Sequence, residues 1–302
     1  MAATSFWDVQ SRNKLYSYLL VGGMFVLVAL LAWFAGYLVN GGDLILPFAL
    51  LFSMLYAVGG YYWGDKVVLG VSGAREADEK QYAYLHNTVE GLALAAGIPE
   101  PKLYVIQDDS PNAFATGRDP QHASIAVTSG LLARMNRAEL EGVLGHEMSH
   151  IRNFDSRFMT TVIVLVGLVS ILANIMSRMM LFGGGRRDRE RGDGGALLMI
   201  IGLVFMILAP IFATLIQLAI SRKREFLADA SGAQLTRNPE GLASALEKLK
   251  TAPPMAHANS ATASLYISDP NGGGKPSLGQ QVSGLFSTHP PLDERIKILR
   301  EM

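Results

Sequence analysis

Two histidines four positions apart, His146 and His150, bracket Glu147 in the run GVLGHEMSHIRN. On a helix such positions share a face, so both imidazoles can converge on one metal ion while Glu147 points at water in the open coordination position. Zinc held there lowers the pKa of that water to near neutrality, and the carboxylate takes its proton as the water attacks a carbonyl. The chemistry implied is metal-assisted hydrolysis, and it requires no covalent acyl-enzyme.

Three protein ligands and an open position are the usual arrangement of a catalytic zinc site, so a third ligand is expected. In SRKREFLADASGAQL, residues 221–235, Glu225 and Asp229 are four apart and face the same way on a helix. A bare E-x-x-x-D is more often a solvated helical face. In company with HEMSH, Glu225 reads as the third ligand and Asp229 as an acceptor that orients a ligating imidazole.

The elements that must position these groups surround a membrane-like pattern. Half of the 302 residues are hydrophobic, and the mean hydropathy is +0.25. Residues 19–38 and 44–63 carry no charge, and each run of twenty could span about 30 Å of hydrocarbon as a helix. Only a short connector separates them, which predicts a hairpin. Arg12 and Lys14 before it and Lys66 after it place both ends in the cytoplasm.

Two further apolar stretches, 158–176 and 196–220, directly follow the histidine helix and directly precede the Glu225 helix. Between them lies the charged, glycine-rich FGGGRRDRERGDGG, expected to be an exposed connector. Full spanning would put its arginines outside, against the positive-inside tendency. Ordinary spanning is favoured, with partial insertion or burial against the catalytic part as the alternative. Four segments follow: a tail and hairpin over 1–66, a first catalytic part over 67–157, a hydrophobic helical insertion over 158–220, and a second catalytic part over 221–302. The insertion accounts for the long gap between ligands.

Within the catalytic parts, residues 74–96 are expected to form a helix with an apolar surface of Leu85, Val89, Leu92 and Leu94, ended by Gly97, Pro99 and Pro101. KLYVIQD reads as a strand, ASIAVTSGLLA as a strand turning into a helix, and 137–153 as the histidine helix. GLASALEKLK is helical, and a breaker-rich stretch after it reads as a loop or flexible cover near the site. A short helix follows the late Pro-Pro. This order predicts an α+β catalytic unit. Residues 123–128 could offer an edge strand to an extended peptide, although an internal position is equally open.

Cysteine is absent, which removes disulfides and a thiol nucleophile. The 26 basic residues balance 26 acidic ones, and no basic patch interleaves with aromatics, so nucleic acid is not an expected partner. No phosphate-binding glycine loop is visible. His86, His122 and His257 read as surface or packing residues. Asn112 sits in DDSPNAFATG, either at a rim or in an Asx turn. From composition, His289 is core or surface.

PNAFATG, GHEMSHIRN, SRKREFLADASGA and STHPPLDERI, in this order around four hydrophobic segments, resemble the HtpX group of bacterial membrane zinc endopeptidases. The wider family includes the CAAX prenyl endopeptidases of eukaryotes. The resemblance covers nearly the whole chain. It implies a zincin-like metallopeptidase domain of the gluzincin type with transmembrane helices, one Zn2+ per chain on His146, His150 and Glu225, and Glu147 as general base. It assigns Asp229 to orientation of a ligand, and Asn112 and His289 to substrate or the oxyanion. It further implies a multi-pass protein of the bacterial inner membrane, its catalytic domain facing the cytoplasm and its substrates unfolded or damaged membrane proteins. The competing readings are a zinc-containing membrane scaffold without catalysis and a narrowly selective processing protease.

Overall fold

A computed structural model describes residues 42–161, 222–256, 262–271 and 290–302, with scattered positions between 11 and 26. Within 42–57 only some side chains are described, and at 222–223 none is. Most of 19–38, nearly all of the third apolar stretch, the whole fourth, the charged linker, His257 and His289 lie outside the described residues. The chain divides into two compact units, one of residues 1–15, 63–160 and 217–302 and the other of 16–62 and 161–216.

Helix α1, Gly42–Val71, takes in the second apolar run and continues for two turns beyond it. Phe48, Leu51, Leu55, Val58 and Tyr62 recur along it and stay more than 40% exposed, a larger apolar exposure than water favours. Over the fully described residues, no helix is long and apolar enough to cross a membrane.

The first unit is α+β. Its elements are β1 (Arg75–Glu76), α2 (Ala83–Ala96), β2 (Lys102–Ile106), β3 (Ala113–Gly117), β4 (Ala123–Thr128), α3 (Ser129–Arg134), α4 (Arg137–Arg152), α5 (Arg222–Thr236), α6 (Pro239–Lys250) and α7 (Leu292–Arg300). The helix expected over 74–96 begins only at Ala83. Before it, the Asp78 side chain accepts the Lys80 and Gln81 N–H groups, an Asx turn that competes with helix, and Arg75 and Glu76 pair with Val105 and Tyr104. Leu85, Val89 and Leu92 are buried as expected, whereas Leu94 is 78% exposed, two positions past Leu92 and so on the opposite face.

The sheet has the order β1-β2-β4-β3. β2 and β4 run parallel, and β3 closes antiparallel on β4, with Ala115 facing Ile125. Residues 123–128 are therefore internal, and the outer strand beside the histidine helix α4 is β3. Its five residues are all buried yet mostly small, which hid it among turn signals. Against the sheet and α2, α4 packs on α5 and α6, and α6 on α7. Val89, Ile125, Val127, Val143, Leu144, Leu242 and Leu246 form the centre of the core at zero exposure. Truncating one such leucine to alanine costs about 2–5 kcal/mol.

Candidate metal centre

Helix α4 is set at its start by a reciprocal capping box. Asn136 Oδ1 accepts the Glu139 N–H at 3.0 Å, and Glu139 Oε2 accepts the Asn136 N–H at 2.8 Å. Two turns further on, α5 crosses it almost backbone to backbone. A Cβ on Gly232 would lie 2.9 Å from the His146 nitrogen, and one on Gly145 would lie 3.3 Å from the Gly232 oxygen. Glu225, Asp229 and Gly232 are spaced i, i+4, i+7, so this crossing turns both carboxylates toward the histidines.

His146 Nε2 and His150 Nε2 lie 3.1 Å apart. The Glu225 oxygens sit 3.7 Å from the first and 3.6 Å from the second. A tetrahedral ion bonded at about 2.0–2.1 Å separates its ligand atoms by about 3.3 Å, so these three atoms match a zinc-sized cation. The opposite ring nitrogens are held by carboxylates. His146 Nδ1 is 2.9 Å from Asp229 Oδ1, and His150 Nδ1 is 3.2 Å from Asp155 Oδ2. Each carboxylate selects the tautomer that leaves Nε2 as the metal-facing lone pair.

Asp155 was not singled out by the sequence. It reaches His150 because the chain turns sharply after α4, with Phe154 at φ 61°, a costly conformation for a bulky residue. Arg295 was missed as well. It is wholly buried and forks onto Asp229, donating from Nε at 2.8 Å and from Nη2 at 2.7 Å. Its Nη1 lies 3.5 Å from Glu225. In sequence it is one more basic residue in an amphipathic helix, DERIKILR, and only an arginine on the buried face would have flagged it.

Glu147 is 1% exposed, and neither carboxylate oxygen has a hydrogen-bond partner of ordinary geometry. Burial pushes it up to about 7; the Glu225 charge adds to this, while His150 and Arg295 oppose it. That places it where a general base works well at neutral pH. Burial opposes charging of His150, but Asp155, Glu225 and Glu147 outweigh it and raise this imidazole to about 9. Burial dominates at His146 and holds it below the usual range despite Asp229. Asp229 is also desolvated, yet Arg295 and His146 keep it below the usual carboxylate range. Glu225 and Asp229 both face the guanidinium of Arg295, and a dication held between the two imidazoles and Glu225 would compensate these buried carboxylates further.

Asn112 does not line this cavity. Its buried amide donates to the Ser268 carbonyl at 3.0 Å, and its oxygen accepts the Ala113 N–H at 3.1 Å. His86 and His122 bond to Ala77 and Asp119 respectively, away from the centre.

Residues 79–302 match Peptidase family M48. The chain belongs to that family. It is 45% identical to a protease HtpX homolog of Caldanaerobacter subterraneus subsp. tengcongensis over 100% of this chain and 99% of the relative. It is 46% identical to one from Streptococcus gordonii, covering 97% and 98%. Ste24p from S. mikatae has a similar fold, with a TM-score of 0.51 at 18% identity over 97% of this chain and 66% of that one; this chain spans just under two thirds of its length. The chain is a metalloendopeptidase of the M48 family.

Proposed function

We propose that the chain is a zinc endopeptidase of the gluzincin type, anchored in the bacterial inner membrane with its catalytic unit in the cytoplasm, and that it removes unfolded or damaged membrane proteins. The observation that carries the reading is the convergence of His146, His150 and Glu225 to 3.1–3.7 Å beside the buried carboxylate of Glu147. One Zn2+ per chain on these three residues supplies Lewis-acid activation of a water and of the scissile carbonyl.

Glu147 takes the proton of the attacking water and returns it to the leaving amine. Asp229 and Asp155 hold the imidazoles in register, and Arg295 keeps Asp229 ionised. Asn112 and His289 serve the substrate backbone and the developing oxyanion. An extended polypeptide is the substrate form that fits such a site, which favours clients that have lost their fold.

The test is a comparison of one membrane protein in folded and misfolded forms, digested by the zinc-loaded enzyme, with metal content measured for wild type and His146→Ala. Cleavage of the misfolded form alone, and about one zinc lost in the variant, are expected. Equal cleavage of both forms contradicts selection for damaged clients. Unchanged zinc in His146→Ala contradicts the ligand set.

A further inference from the structure

Strand β3 has two edges. One pairs with β4. The other runs past the metal centre, with Ala115 lining the same cavity as His146, Glu147, His150 and Glu225. A polypeptide entering this site in extended form needs that second edge, because an added strand is recognised by the unpaired N–H and C=O groups of the strand it joins.

In this structure the edge is engaged at Ala113 and flanked on either side. The Ile267 N–H donates to the Ala113 carbonyl at 2.9 Å. Asn112 pairs with the peptide groups of Ser268, its Nδ2 donating to the Ser268 oxygen at 3.0 Å and its Oδ1 accepting the Ser268 N–H at 3.4 Å. Tyr266 packs edge-on against Phe114 with ring centroids 5.0 Å apart. Asn112 thus meets Ser268, Ala113 meets Ile267 and Phe114 meets Tyr266, an antiparallel progression. The Ile267 carbonyl is held as well, because Arg295 Nη1 donates to it at 3.1 Å. Leu265, Tyr266 and Ile267 form part of the cavity wall.

We propose that residues 262–270 are a built-in substitute for substrate: a strap that occupies the polypeptide-binding edge of β3 and must leave before an extended client can lie beside Glu147. Its departure releases the Ala113 carbonyl, the Asn112 amide and one N–H of Arg295, three groups suited to a peptide backbone. The strap accounts for Asn112 standing apart from the metal cavity while remaining on the path of a bound chain. This inference rests on the peptidase reading. It adds latency, since the apparent affinity for substrate is reduced by the fraction of molecules with the strap displaced.

The test uses the full-length, zinc-loaded Glu147→Gln variant, which holds a client without cutting it, and follows backbone hydrogen exchange over 262–270 with and without saturating casein. Exchange there is expected to rise by about tenfold or more as casein displaces the strap. Casein binding with unchanged protection of 262–270 overturns the proposal. A second measurement exploits the absence of cysteine: Ala113→Cys combined with Ile267→Cys joins strap to strand. Casein cleavage by the bridged protein is expected to fall by about tenfold or more and to return on reduction; equal rates in the bridged and reduced forms overturn the proposal. Wild-type cleavage measured in parallel separates the two readings. Cleavage with an immobile strap removes the strap alone, whereas no cleavage by zinc-loaded wild type removes the peptidase reading and the strap with it.

Discussion

Arg295 and Arg300 stand five positions apart on α7, and each binds two acidic side chains in opposite surroundings. Arg295 is wholly buried, forked onto Asp229 and close to Glu225. Arg300 lies at the surface, joining Glu240 and Glu247 of α6. At the surface, water and salt replace a lost partner at little cost. In the interior nothing replaces it, so Asp229, Arg295 and His146 form a unit in which each group needs the others. The candidate metal centre is built on the second kind of pairing, and α7, which supplies Arg295, is pinned from outside by the first.

Breaking the inner unit has the largest expected effect on stability. Asp229→Ala leaves the Arg295 guanidinium buried without its fork and is expected to cost about 3–5 kcal/mol in chemical denaturation; Asp229→Asn, which keeps the shape, is expected to cost less. A loss near zero would mean that water reaches Arg295. Next is Gly232→Ala, whose methyl carbon meets the His146 nitrogen at 2.9 Å. Overpacking of this kind costs about 1–3 kcal/mol, and by moving α5 it also weakens zinc binding, read by chelator competition. Unaltered zinc affinity would show that the helix crossing does not set the ligand geometry.

Asp155→Asn sharpens the comparison from the side of His150. It retains the side chain's size and removes its charge, so zinc affinity is expected to fall about 10–100-fold with little change in folding. Full retention of affinity would reduce Asp155 to a packing role.

The smallest effect belongs to the outer pairs. Arg300 and Ser244 hold Glu240 below its ordinary value of 4.5. A carboxylate depressed in the folded state contributes stability that is present above the unfolded pKa and lost as pH falls through the folded one. The difference in Tm between wild type and Glu240→Gln is therefore expected to be small at pH 7 and to vanish in acid. A difference that grows in acid would reverse the sign and contradict the pairing.

The candidate ligands were legible because helical periodicity turns H-E-x-x-H and E-x-x-x-D directly into shared faces. Asp155 and Arg295 were not, since one depends on a left-handed residue after α4 and the other on α7 turning a charged side chain inward. Sheet order was also hidden. The more apolar ASIAVT resembled a candidate edge, yet it lies between β2 and β3, while the small-residue AFATG forms the edge itself. The α+β character followed from the alternation of periods, and the turn at Asp78 was missed because a local side-chain bond overrode a helical pattern.

The most direct test of the account compares zinc-loaded wild type with Glu147→Gln on casein, with fragments and zinc content followed together. The account predicts cleavage by wild type only, with equal zinc in both proteins, because Glu147 moves the proton and holds no metal. Cleavage by the variant at the wild-type rate, or none by wild type at full zinc occupancy, would contradict it.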